Sequence, residues 1–375
     1  MNSPRDPEAL GAPQIRQSQP LRAAPVEQVH WVSWLRFLAI VGVVTIHSTG
    51  ATAVRAGAWS TGAGALAVVL NRGFNFTVPL FVMLSGALLL DPARYRGDAD
   101  FLRRRALRLV PAVIFWNLFY WGFRVYYLDQ SVAWQSALKL TLNGRLITAL
   151  YFFWIVLGLA VVTPVLIAWV ADASRRAVLI AGAAAVALPA LTTATVAFRS
   201  APLNWVETPW TWWIPYLGVY LLGWGLRGVV LRGPAVVAAL LGAVAIGALI
   251  AASFRREGVP TWVGGLIGGY YSLGVQVYAV LVFLVAQAMV RPGGLLAALC
   301  RPGPARVGRM LGAATLGVFA LHLAVLYVSY DLPVVGGTPA ASTVLELVGR
   351  TGGVLVVTYL IVLVMRQIPW VRRLV

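Results

Sequence analysis

The sequence predicts an all-α fold, a polytopic transmembrane helix bundle with about ten spans and both termini in the cytoplasm. Of the 375 residues, 60% are apolar and 11% are charged, and the mean hydropathy is +0.80. Soluble domains are about 45–50% apolar and about 25% charged. Apolar runs long enough to cross a bilayer as helices recur along the whole chain. A soluble cytosolic enzyme, a disordered chain and a secreted disulfide scaffold are therefore excluded.

The apolar runs and their breaks define the predicted spans. These are 31–50, 64–90, 107–128, 148–171, 177–197, 211–231, 235–254, 264–290, 311–329 and 346–366. The segment before the first span is polar and contains proline, and no small-residue cleavage signature follows it. We therefore expect a disordered cytoplasmic tail over 1–28, a transmembrane domain over 29–368 and a cytoplasmic tail over 369–375.

The charge distribution predicts the orientation. The formal net charge is +18, and the basic residues lie in short clusters between apolar runs, which argues against a nucleic-acid partner. With a cytoplasmic N-terminus, 20 of the 30 Lys and Arg residues fall on inner segments and 9 on the outer side. Such a bias follows the positive-inside rule. We expect a multi-pass protein of the cell (plasma or inner) membrane, with the lipid bilayer as its surroundings.

Metal and redox chemistry find little support in the sequence. The single cysteine, Cys300, allows no intrachain disulfide and no thiolate cluster. The acidic residues Asp91, Asp172 and Glu346 lie at span ends, whereas proton- and cation-coupled transporters usually place carboxylates within their spans. No metal and no permanently bound cofactor are expected.

Two ionisable side chains share one face of the first span. Arg36 and His47 are eleven residues apart, which is about three helical turns and about 16 Å along the axis. Histidine suits proton removal from a hydroxyl near neutral pH, and a helix–helix hydrogen bond is the alternative role. His322, on the ninth span, reaches a similar depth, although the sequence does not place it against His47.

A second basic cluster precedes the third span. Helical spacing puts Arg104, Arg105 and Arg108 on one face. We expect Arg36 to lie near them, at the same cytoplasmic end of the helix bundle. The cluster is either a positive-inside anchor or a site for a polyphosphate, because arginine grips phosphate oxygens with a planar fork. Coenzyme A is a cytoplasmic metabolite with such phosphates.

Two further segments have alternative interpretations. In the second span, Pro79 and the Ser85–Gly86 pair would bend or loosen the helix and allow close helix approach. Such breaks are tolerated where the backbone lines a cavity, which makes Ser85 a site candidate, and simple packing is the alternative. Tryptophans crowd the outer end of the sixth span as an aromatic belt or as a sugar-stacking platform. They are Trp205, Trp210, Trp212 and Trp213.

These features occur in an order that resembles the acyltransferase-3 family of integral membrane O-acyltransferases. The matching pieces are Arg36 with His47, Val78-Pro79-Leu80-Phe81 with Leu84-Ser85-Gly86, Arg105 and Arg108 with Pro111, Gly158 to Pro164, Tyr216 to Gly223, and Leu316 to His322. The resemblance covers roughly residues 30–365 and is greatest to the standalone polysaccharide O-acetyltransferases.

The resemblance implies a reaction and its residues. Members take an acyl group, commonly acetyl, from cytoplasmic acyl-CoA and deliver it to a hydroxyl of a sugar, polysaccharide or lipid-linked glycan. His47 would be the essential histidine with Arg36 as its motif partner, and Arg105 and Arg108 would face coenzyme A. Many relatives carry a histidine before the aromatic cluster of span four, where this chain has Ala149. Trp154 in that cluster is a further site candidate.

The alternative function is a transporter or flippase for an anionic envelope glycolipid or polysaccharide precursor. Ten spans and an arginine-lined mouth fit an anionic cargo. A transporter would not need Arg36 and His47 three turns apart, and it would not respond to acetyl-CoA.

Overall fold

The computed structural model describes residues 30–199, 208–254, 266–333 and 337–375. All regular structure in these ranges is helical, so the all-α prediction is confirmed. The predicted tail over 1–28 and Trp205 lie outside the described residues.

The described α-helices are numbered here in chain order. They are α1 (His30–Ala53), α2 (Gly62–Gly73), α3 (Thr77–Leu89), α4 (Asp98–Tyr126), α5 (Trp134–Leu142), α6 (Tyr151–Asp172), α7 (Arg175–Arg199), α8 (Leu217–Gly225), α9 (Pro234–Ser253), α10 (Leu273–Met289), α11 (Pro302–Ala313), α12 (Thr315–Ser329) and α13 (Val344–Met365).

Each of the ten predicted spans contains a helix, but the helices differ in length. Among the described residues, seven helical segments are long and apolar enough to cross a membrane, or eight if α11 and α12, bent by 60°, form one span. Helices α8, α10 and α12 have 9, 17 and 15 residues, fewer than the roughly 20 of a straight span. The count of ten and the cytoplasmic placement of the termini stay predictions.

Helix α1 forms the centre of the bundle. It packs against α2, α3, α10, α11, α12 and α13. Glycines permit the close approach: Gly42 lies against the side chains of Phe74 and Thr77, and Gly312 of α11 lies against the main chain of Ser33. A helix enclosed in this way holds Arg36 and His47 at fixed depths within the bundle.

The second predicted span is broken before its proline. Helix α2 ends at Gly73 and α3 begins at Thr77, so the chain interrupts its helical hydrogen bonds here. The hydroxyl of Tyr278 donates to the carbonyl of Gly73 at 2.9 Å, which satisfies one freed acceptor. Pro79 lies in the first turn of α3, where no helical N–H donor is required.

Helices α3 and α8 meet through a reciprocal pair of glycines. A Cβ at Gly86 would overlap the carbonyl oxygen of Tyr220, and a Cβ at Gly223 would overlap that of Met83. Small residues allow two helix backbones to touch in this way. The Ser85–Gly86 pair therefore provides the close packing expected of it, within a continuous α3.

We predict that Gly86→Ala and Gly223→Ala each destabilise the protein, because the added methyl group forces α3 and α8 apart. Overpacking of this kind costs about 1–3 kcal/mol. The measurement is the thermal denaturation midpoint of purified protein in detergent. Gly353→Ala on α13, where nothing lies within 4 Å of the added atom, is the matched control and should not lower the midpoint. Equal midpoints for all three variants would contradict the contact.

Candidate functional site

A cavity of about 1290 Å³ lies among α1, α3, α4, α6, α8, α12 and the segment after α13. We call it the arginine cavity, because eight arginines and one acidic residue line it. The arginines are Arg36, Arg94, Arg104, Arg105, Arg108, Arg366, Arg372 and Arg373. The sequence-predicted Arg36, Arg104, Arg105, Arg108 and Ser85 are all among the lining residues.

Two of these lining arginines, Arg94 and Arg104, form ion pairs with carboxylates. The buried carboxylate of Asp91 pairs with Arg94 at 3.4 Å and with Arg227 at 3.1 Å. Arg104 pairs with Asp100 at 2.5 Å.

The other six lining arginines form no ion pair with an Asp or Glu side chain in the described ranges, and three of these six lie on α1 and α4. Arg36, Arg105 and Arg108 form no ion pair within the described ranges. The charges of Arg105 and Arg108 are close enough to act on Arg36. Positive charges that converge without carboxylate partners, next to apolar helices, favour an anionic ligand.

The mouth of the cavity also carries aromatic side chains. The rings of Tyr95 and Phe101 lie 5.8 Å apart, and the Arg105 guanidinium lies 5.4 Å from the Phe101 ring. The hydroxyl of Tyr95 donates to the carboxylate of Asp98. Burial and this hydrogen bond raise the pKa of Tyr95 to about 12, so the hydroxyl stays a donor at neutral pH.

The C-terminal arginines also line the cavity. In the sequence they indicated only the orientation of the chain in the membrane. Trp116 of α4 donates from Nε1 to the carbonyl of Leu374 at 2.9 Å, which holds the segment after α13 against α4. Arg366 donates to the carbonyl of Ala313 at 2.7 Å and lies close enough to Arg108 for their charges to interact. The predicted tail over 369–375 therefore contributes to the cavity wall. In the sequence, the only indication of this contribution is the presence of three arginines among the last ten residues.

A layer of phenylalanines forms the inner end of the cavity. Phe81, Phe152 and Phe319 all line it, with ring centroids 5.8 Å apart for Phe81 and Phe152 and 5.1 Å apart for Phe152 and Phe319. The ring of Phe319 lies 6.1 Å from that of His322. The cavity therefore ends at an apolar layer; neither His47 nor His322 lines it, and His322 lies behind Phe319.

The structure places the two intramembrane histidines together. The ring centroids of His47 and His322 are 5.1 Å apart, a contact the sequence did not predict. Nδ1 of His322 lies 2.7 Å from the carbonyl of Phe319 and 3.2 Å from that of Val318, both on its own helix. Because a carbonyl oxygen only accepts, Nδ1 carries the proton and Nε2 presents its lone pair. That buried Nε2 has no partner among the described residues.

The other site candidates have different surroundings. The hydroxyl of Ser85 lines the arginine cavity and donates to the carbonyl of Phe81 at 2.9 Å. Trp154 is buried against Trp210, with ring centroids 4.8 Å apart, and does not line the arginine cavity.

A second, smaller cavity of about 340 Å³ lies near the start of α6. Its lining residues are Gly144, Arg145, Thr148, Tyr151, Trp212 and Tyr271. Of the tryptophans that the sequence placed at the end of span six, only Trp212 lines it among those described.

Comparison with protein-family models gives a match, whereas comparison with individual proteins does not. Neither the curated proteins nor the solved structures contain a match to this chain. The acyltransferase-3 family model, described as an acyltransferase domain, matches residues 29–366, from the start of α1 to just past the end of α13. The match includes the arginines of α1 and α4 and both histidines of the pair, and the chain belongs to the acyltransferase-3 family of membrane acyltransferases.

Proposed function

We propose that the protein is a membrane O-acetyltransferase. It transfers an acetyl group from acyl-CoA, bound in the arginine cavity from the cytoplasm, to a hydroxyl of a sugar, cell-envelope polysaccharide or glycolipid. The observation that carries the proposal is the arrangement of three arginines without ion pairs, a phenylalanine layer at the end of their cavity, and the His47–His322 pair next to that layer. Membership of the family supplies the reaction class.

The donor binds through its phosphates. Arg105 and Arg108 on α4 face the same cavity as Arg36 on α1, so a phosphorylated ligand contacts two helices at once. The planar guanidinium forks bond phosphate oxygens in pairs. The rings of Tyr95 and Phe101 offer a surface for the adenine base beside Arg105. Arg104 contributes less, because Asp100 neutralises part of its charge.

The pantetheine arm carries the acyl group inward. The eleven residues from Arg36 to His47 span about 16 Å along α1, a distance that a thin, extended arm covers. The rings of Phe81, Phe152 and Phe319 line that route and exclude water from it. The thioester would then reach the histidine pair while the phosphates stay with the arginines.

At the histidine pair, His47 acts as the general base. One ring nitrogen of His47 takes the proton of the acceptor hydroxyl as the oxygen bonds to the thioester carbonyl carbon. The carbon–sulfur bond then breaks, and His47 donates that proton to the departing sulfur. Coenzyme A and the acyl ester are released. His322 is a positioning residue: its Nε2 lone pair, which has no partner among the described residues, would accept the other N–H of His47 during the reaction and so fix the orientation of that ring.

A covalent route uses the same residue differently. His47 would attack the thioester itself, and the acyl-imidazole would pass the acyl group to the acceptor. Direct transfer requires donor and acceptor to be bound together and predicts sequential kinetics. Trapping of an acyl-histidine after incubation with labelled acetyl-CoA would establish the covalent route instead.

The proposal is tested with purified protein in nanodiscs and acetyl-CoA. We expect saturable acetyl-CoA binding and slow release of free coenzyme A. If well-folded protein binds neither acetyl-CoA nor longer acyl-CoAs, the acyltransferase proposal fails and transport of an anionic cargo becomes the better explanation of the arginine cavity.

We predict that His47→Ala lowers coenzyme A release by roughly 10²–10⁴-fold, because the general base is lost. Acetyl-CoA binding, measured by calorimetry on the same sample, should be retained. His30→Ala, at the start of the same helix, is the matched control and should keep full activity. Unchanged turnover in His47→Ala would remove His47 from the mechanism.

We predict that His322→Ala lowers kcat by roughly 10–100-fold, the equivalent of one hydrogen bond to a charged group. The KM for acetyl-CoA should not change, because His322 does not contact the donor phosphates. His322→Gln, whose amide oxygen still accepts a hydrogen bond, should recover part of kcat. A rise in KM without a change in kcat would argue against a positioning role.

We predict that Arg105→Ala and Arg108→Ala each weaken acetyl-CoA binding by roughly 10–100-fold, since each removes charge-assisted hydrogen bonds of about 1.5–3 kcal/mol. The measurement is the Kd for acetyl-CoA at fixed ionic strength. Arg309→Ala on α11, which makes the same charge change at an exposed residue outside the cavity, should leave the Kd unchanged. Lower turnover with an unchanged Kd would contradict the phosphate-binding role.

A further inference from the structure

We infer that the second cavity is the binding site of the acceptor, and that the acceptor presents a sugar ring there from the side of the membrane opposite the arginine cavity. This inference rests on the proposed function and names the acceptor half of the site. We call this cavity, lined by Gly144, Arg145, Thr148, Tyr151, Trp212 and Tyr271, the aromatic cavity.

The two cavities open toward opposite ends of α4. Three arginines of the first cavity, Arg104, Arg105 and Arg108, lie within the first three turns of this helix. Arg145 and Thr148 of the aromatic cavity come after its far end. Helix α4 has 29 residues, which corresponds to about 44 Å and exceeds the hydrocarbon thickness of a bilayer. A molecule that enters the aromatic cavity therefore approaches from the other side of the membrane.

A thin wall separates the two cavities. On α6, Tyr151 lines the aromatic cavity and its neighbour Phe152 lines the arginine cavity. On the other side, Tyr216 contacts Tyr271 of the aromatic cavity, and Tyr220, one turn further along, lines the arginine cavity. Two substrates bound in the two cavities would thus approach each other near Phe152, the ring next to Phe319 and the histidine pair.

The lining residues suit a carbohydrate. The rings of Tyr151 and Trp212 are 6.1 Å apart and nearly perpendicular, at 76°, so they offer apolar faces to the C–H groups of a sugar ring. Arg145 and Thr148 are exposed beside them and supply hydrogen-bonding groups for sugar hydroxyls. A few polar groups among aromatic walls are the usual composition of a small-molecule site.

The position of Trp212 depends on a glycine in the wall. Gly144 has a φ of 62°, a conformation that favours glycine, and a Cβ there would overlap the Trp212 ring. The chain therefore packs the indole against the bare main chain of the loop between α5 and α6. This packing fixes Trp212 as a rigid surface at the cavity.

A buried hydroxyl beside the cavity lacks a partner. The Tyr216 side chain is 0% exposed, and its hydroxyl forms no hydrogen bond to any of the described residues. Its ring lies 5.6 Å from that of Tyr271, a lining residue of the aromatic cavity. Tyr216 does not itself line the aromatic cavity, so this hydroxyl lies in the wall behind Tyr271.

The test measures sugar binding directly in nanodiscs by saturation-transfer NMR. The probes are methyl glycosides of a neutral hexose, an N-acetylhexosamine and a uronic acid. We expect at least one probe to bind wild-type protein, and to bind about tenfold more weakly to Trp212→Ala and Arg145→Ala. Trp212→Phe, which keeps an aromatic ring, should retain part of the affinity. Trp134→Ala, which removes an exposed tryptophan of α5 that does not line the cavity, is the control and should bind normally.

The same samples separate this inference from the proposed function. Arg105→Ala should lose acetyl-CoA and keep the glycoside, whereas Trp212→Ala should do the reverse. If the wild type binds acetyl-CoA but none of the glycosides, or if the Trp212 and Arg145 variants bind glycoside as well as the wild type, the aromatic cavity is not the acceptor site. If glycoside binds but no acyl-CoA does, the donor proposal fails instead.

Discussion

The enclosure of α1 by six other helices is the constraint on which the site depends. A helix at the centre of a bundle cannot turn to expose its polar residues to water, so Arg36 and His47 must find their partners inside the protein. Gly42 on α1 and Gly312 on α11 let neighbouring backbones approach closely enough to fix both depth and rotation. One rigid element would thereby set the separation between the phosphates and the reacting atoms of the proposed donor.

The arginine cavity concentrates like charges at the edge of an apolar bundle. Only Arg94 and Arg104 among its lining arginines pair with carboxylates in the described part of the chain. Repulsion among the remainder weakens the empty protein, and an anion that binds there relieves it. Binding of the proposed donor should therefore raise the stability of the protein. The C-terminal segment belongs to the same unit, since Trp116 holds it against α4 beside Arg108.

The proposed reaction centre, the His47–His322 pair, is buried and sparsely hydrogen-bonded, which suits the acyl transfer proposed for it. Water at the thioester would hydrolyse it, and the phenylalanine layer excludes water from the approach. His322 uses one nitrogen for its own helix and keeps the other free beside His47. Two cavities separated by a wall near Phe152 would bring substrates from opposite sides of the membrane close to each other without a continuous aqueous pore.

The sequence by itself determined the all-α membrane fold, the family, and the shared faces of Arg36 with His47 and of Arg104, Arg105 and Arg108. These follow from composition and from helical periodicity, which are local properties of the chain. Only the tertiary structure decided that His322 meets His47, that Arg366 and its neighbours join the arginines of α4, and that Trp212 lies on Gly144. Those contacts join residues far apart in sequence, and they depend on which helices pack together, which periodicity does not encode.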